Sequence, residues 1–88
     1  MKINLPQHCV IEIDNNSIDN LKQIQLLLHV NGYRWLSGTS LLSECHPLTK
    51  QFVLTNKSVT WSSGTERKKN KVYINYKILL FLKYLYED

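Results

Sequence analysis

The chain has 88 residues, 43% of them apolar, and a formal net charge of +4 from eleven lysines and arginines against seven acidic residues. That length permits one domain, residues 1–88, with a core that buries roughly 60–65% of the unfolded surface, and the apolar content excludes a disordered chain. The mild positive charge excludes a mimic of nucleic acid, and no apolar run reaches the ~18 residues that a membrane span needs.

The opening Met1-Lys2-Ile3-Asn4-Leu5-Pro6 lacks the apolar stretch of a leader peptide, so a cytoplasmic protein with two reduced thiols, Cys9 and Cys45, is expected. Val10 to Ile13 reads as a strand with Cys9, Ile11 and Ile13 on one face. Asp14 to Ser17 is a turn, and Asn16 or Ser17 is placed to cap a helix from Ile18 to Asn31. Ile18, Leu21, Ile24, Leu27 and Leu28 make its core stripe at 100° per residue. Leu26 and Val30 fall on the opposite side, near Asp19, Lys22 and Gln23. Asn31-Gly32 is a helix stop, because glycine takes the left-handed conformation without strain.

Tyr33 to Ser37 follows as a strand that Gly38 ends, and Thr39 to Lys50 as a loop with apolar Leu41, Leu42 and Leu48. Gln51 to Ser62 reads as a hairpin. With Asn56-Lys57 in a two-residue turn, Leu54 faces Val59 and Phe52 faces Trp61, all four on the core side. A polar, basic loop from Ser63 to Asn70 leads to a short strand, Lys71 to Ile74. Asn75 then caps a helix from Tyr76 to Glu87, with Phe81, Leu85, Ile78, Leu82, Tyr86 and Leu79 on its core arc and Leu80 and Tyr84 stranded among its polar residues. The expected fold is α+β, a small antiparallel sheet packed with two helices in the order β-α-β-β-β-β-α.

No residue set in this sequence carries recognisable chemistry. His8-Cys9 and Cys45-His46 are adjacent pairs, whereas zinc ligands are spaced two to four residues apart and strand neighbours point to opposite faces. A thiol nucleophile needs a base within reach and a third group to orient it, and glycines only at 32, 38 and 64 make no phosphate-binding loop. We therefore expect no enzyme activity, no metal and no cofactor. Two features remain. Leu26 with Val30, and Leu80 with Tyr84, are apolar pairs on helix faces that should be wet, the signature of a protein interface or a homodimer. Arg67, Lys68, Lys69 and Lys71 put four cations in five residues, and Lys77 extends the same charge. With Trp35, Trp61 or Tyr73 for stacking, that loop suits a phosphate backbone or a nucleotide; a solvated loop beside an edge strand is the plainer expectation.

The segment Asn31-Gly32-Tyr33-Arg34-Trp35-Leu36-Ser37-Gly38 resembles a G-Y-x-W-x-S-G pattern, following a helix, of small accessory proteins of tailed bacteriophages. The likeness in layout runs from Val10 to Leu85, while the specific motif covers eight residues. The resemblance implies a chain made in a bacterial host cytoplasm that docks on a host or defence protein and modulates it, most simply as an inhibitor in host takeover or anti-defence. The motif is a folding signature and assigns no functional residue. The order from Ile18 onward is also similar to double-stranded-RNA-binding domains, with Lys68, Lys69 and Lys71 ahead of the last helix. It departs from them in the strand Val72-Tyr73-Ile74 that intervenes, which keeps RNA as the alternative partner.

Overall fold

In a computed structural model of the chain, residues 3–38 and 46–86 are described, with side chains as far as residue 82. Seven elements follow in the order β1 (His8–Glu12), α1 (Ile18–Val30), β2 (Arg34–Trp35), β3 (Gln51–Thr55), β4 (Ser58–Ser62), β5 (Val72–Asn75) and α2 (Tyr76–Tyr86). The α+β class and the element order are those expected. The sheet is not wholly antiparallel, and this is a correction. Its order is β2-β4-β3-β1-β5; β3 pairs antiparallel with β1 and β4, while β1–β5 and β2–β4 are parallel. Only β3 and β4 are joined by a tight turn. The other connections are long enough to carry the chain across the sheet, which parallel pairing requires.

Local chemistry accounts for the element ends. The Ser17 hydroxyl accepts the Asn20 N–H at 3.3 Å and caps α1. At the other end Gly32 turns with φ +89°, the Gly32 N–H donates to the His29 carbonyl and the Tyr33 N–H reaches back to the Leu28 carbonyl, each at 3.0 Å. That is the Schellman arrangement, completed by burial of both Leu28 and Tyr33. Asn56 takes φ +50° in the β3–β4 turn, and its N–H donates to the Gln7 carbonyl at 2.8 Å, tying the hairpin tip to the N-terminal segment. The Asn75 side chain accepts the Lys77 N–H at 2.9 Å and donates to Asp14 at 2.9 Å, so β5 enters α2 with no intervening loop.

The hairpin register is the expected one, with Leu54 opposite Val59 and Phe52 opposite Trp61. Cys9, Ile11, Phe52, Leu54 and Val59 of the sheet share one core with Leu21, Ile24, Leu27 and Leu28 of α1 and with Tyr76 and Leu79 of α2. Both helices therefore lie on one side of the sheet. Trp35 packs at the margin of this core, its ring 5.9 Å from that of Phe52.

Several placements differ from the sequence pattern. Ile18 is exposed, and Gln25 is buried on the same face of α1 as Leu21 and Leu28 despite its polarity. Trp61 is 41% exposed because its neighbour β2 is only two residues long and pairs no further than Val59. The indole instead stacks on His46, with ring centroids 4.5 Å apart and 7° between planes. Among the described side chains of α2, Tyr76, Leu79 and Leu80 pack inward, while Ile78 and Phe81, assigned by periodicity to the core, face outward. This helix is apolar almost all round, so period alone cannot choose its inner face. Its phase is set by the direct passage from Ile74, which packs on the core, through Asn75 to the buried Tyr76.

Candidate interaction surfaces

Two surfaces carry the sequence-derived candidates, one on each side of the sheet. On the helical side, the outer face of α1 exposes Leu26 (44%) and Val30 (58%) one turn apart, as expected. The outer face of α2 exposes Ile78 (52%) and Phe81 (60%). Leu80, expected on a wet face, is corrected in part: it is half-buried, with part of its side chain packed against the core. The side chain of Tyr84 lies outside the described residues, as do Leu41, Leu42 and Cys45. Sequence reasoning missed Ile78 and Phe81 as surface residues. The available signal was the surplus of apolar residues in α2, more than one buried face can hold.

On the far side, alternation places Val10, Glu12, Gln51, Val53 and Tyr73 opposite the core. β4 and β5 run parallel with β3 and β1 between them. The nine residues 63–71 must therefore cross this face as a strap, where a loop beside an edge strand was expected. Three bonds hold the strap down. The Gln51 side chain donates to the Glu66 carbonyl at 3.3 Å. The Arg67 guanidinium forms a two-pronged ion pair with Glu12 and lies 5.4 Å from the centre of the Tyr73 ring. The Tyr73 hydroxyl accepts the Lys68 N–H at 2.5 Å.

Arg67 is thus an anchor of the strap, its charge met by Glu12. Among the described residues this is the one ion pair, and Lys68, Lys69, Lys71 and Lys77 are exposed. Beneath the strap lies an open recess of about 470 Å³. Its floor is Val10, Val53 and Tyr73, and Lys68, Lys71 and Glu66 stand in its wall. Lys69 and Lys77 are not part of it. Val10 faces away from the core yet is only 2% exposed, so strap and sheet already cover it, and the accessible part of the floor is Val53 and Tyr73.

Cys45, the thiol weighed as a nucleophile beside His46, lies outside the described residues; Cys9 lies within them. The residue is buried and free, and burial pushes its thiol pKa up, the wrong direction for a nucleophile. His8 is exposed on the opposite face of β1. Burial, and then the neighbouring Cys9, likewise raise the Tyr33 hydroxyl. His46 accepts the Leu48 N–H through Nδ1 at 3.1 Å and stacks on Trp61. Among the described residues no three metal-ligating side chains come together, and no helix is long and apolar enough to cross a membrane. Compared with protein-family models, with curated proteins and with solved structures, the chain matches none.

Proposed function

We propose that this chain is a non-catalytic binding protein that docks on a partner protein through the outer faces of α1 and α2. The observation that carries the reading is the exposure of Ile78 and Phe81, more than half of each in solvent on one helix. Leu26 and Val30 on the neighbouring helix extend the apolar character of the same side of the molecule. Isolated apolar side chains are ordinary on a protein surface. Two helices that both turn aliphatic or aromatic residues outward, over a core already filled beneath them, are the composition of an interface centre. The resemblance to phage accessory proteins makes a bacterial host or defence protein the expected partner, and inhibition the expected consequence.

The test uses the full chain as bait in bacterial lysate beside a Phe81→Asp variant. Phe81 is outside the core, so the variant retains the helical signal of the parent. A protein captured in stoichiometric amount by the parent and lost from the variant supports docking through this face; equal capture by both rejects it. Light scattering on the purified chain separates the homodimer. A mass near 10.4 kDa leaves the face open to a foreign partner. A doubled mass that Phe81→Asp halves assigns it to a second copy.

A further inference from the structure

The recess under the strap lies on the opposite side of the sheet from α1 and α2, so a ligand held there is independent of the docking surface. We propose that this recess binds a phosphate-bearing ligand of mononucleotide size, with Lys68 and Lys71 holding the phosphate and the accessible floor of Val53 and Tyr73 receiving a planar ring.

Four observations converge on this chemistry. The volume, about 470 Å³, falls within the range of small-molecule sites. The two lysines in the wall are brought together by a turn in which the Lys71 N–H approaches the Lys68 carbonyl at 3.4 Å. The backbone of Lys68 is further fixed by the Tyr73 hydroxyl, so the wall is set before a ligand arrives. Of the carboxylates nearby, Glu12 is already taken by Arg67, and Glu66 stands in the wall with the two lysines without forming an ion pair with either. Lys68 and Lys71 thus line a partly enclosed site and make no ion pair among the described residues, so an anion held there meets both charges. The rest of the lining matches the other parts of a nucleotide. Ser62, Ser63 and Thr65 offer hydroxyls, Glu66 can accept from a sugar hydroxyl or an exocyclic amine, and Val53 with the Tyr73 ring offers an apolar floor. A simple oxyanion would use the lysines and leave that floor idle. A free nucleotide and the terminal nucleotide of a strand share this chemistry.

The experiment titrates the isotope-labelled full chain with AMP, with a 5′-phosphorylated dinucleotide and with inorganic phosphate, following backbone amide resonances. Saturable shifts centred on Val53, Gly64 and Tyr73 are expected with AMP. The double variant Lys68→Ala, Lys71→Ala should weaken AMP at least ~10-fold, as loss of charge-assisted hydrogen bonds does. The double variant Lys69→Ala, Lys77→Ala removes the same two charges outside the recess and should change affinity less than about twofold. These lysines are exposed, and unchanged melting temperatures confirm that both variants fold. Tighter binding of AMP than of the dinucleotide assigns the recess to a free nucleotide, and the reverse order assigns it to a strand end; either supports the proposal. Absence of saturable AMP shifts overturns it. So does equal weakening by the two lysine pairs, which reduces the effect to a diffuse positive field. Binding of inorganic phosphate as tight as that of AMP overturns the role of the floor and with it the ligand class.

Discussion

Gly32 turns the chain out of α1 at φ +89°, and a Cβ built there meets no atom within 4 Å. Its replacement is therefore a test of backbone conformation alone. Gly32→Ala should cost about 1–2 kcal/mol, the penalty of the left-handed region for an L-residue, read as a lower urea midpoint with an unchanged slope. This residue was legible in the sequence because the left-handed stop after a helix admits few residue types. Asn75 and Ser17 were legible for the same kind of reason, since a short side-chain acceptor at a helix start does a specific job. Gln25 was not. It is buried against a pattern that calls for an apolar residue, its Nε2 donating to the Leu21 carbonyl at 3.3 Å while its Oε1 finds no partner among the described residues. Polarity misled there because the position of a residue on the helix, about 40° from Leu21 at 3.6 residues per turn, outweighs its own preference once the helix is docked.

Among the elements, the strap of residues 63–71 depends most on long-range placement. Its basic composition was plain from the sequence, but its path was not. A polar run between two strands reads the same whether it closes a local loop or crosses a sheet; the parallel arrangement of β4 and β5 decides which. Arg67 holds that crossing against the sheet by reaching Glu12, 55 positions earlier in the chain. Arg67→Ala should leave the melting temperature within error, because the pair sits at the surface and is screened. Amide exchange across residues 63–70 should nonetheless rise while that of β1 and β3 stays slow, as expected when a locally held segment is released. Exchange unchanged in the strap would mean that the Gln51 and Tyr73 bonds suffice to hold it. The candidate surfaces divide in the same way. Leu26 and Val30 were found because α1 has a clear polar side against which two apolar residues stand out. Ile78 and Phe81 were not, since α2 offers no such contrast and its orientation comes from its junction with β5.

For the molecule as a whole, Phe52 is the point where the layers meet. It is fully buried on a central strand of the sheet and touches the ring of Trp35. Phe52→Ala should cost about 3–5 kcal/mol, from lost burial and the cavity left behind. A domain of 88 residues has a total stability of roughly 4–13 kcal/mol. The variant should therefore unfold in one cooperative transition at a much lower temperature, with both helices and the sheet lost together in circular dichroism and fluorescence. Separate transitions would mean that the helical layer does not share the core with the sheet.

The division between sequence and tertiary structure is a division between local and non-local physics. Turn chemistry, helix caps and the alternation of β3 with β4 act within a few residues, so the class, the order of the seven elements and the hairpin register were all determined by the sequence read alone. The parallel pairing of β1 with β5, which through the β5–α2 junction also turns Ile78 and Phe81 outward, the exposure of Trp61 and the strap that Arg67 pins to Glu12 each depend on segments distant along the chain. Only the assembled fold decides them, because the energy that selects them is burial and ion pairing between elements, and no local pattern encodes which elements meet.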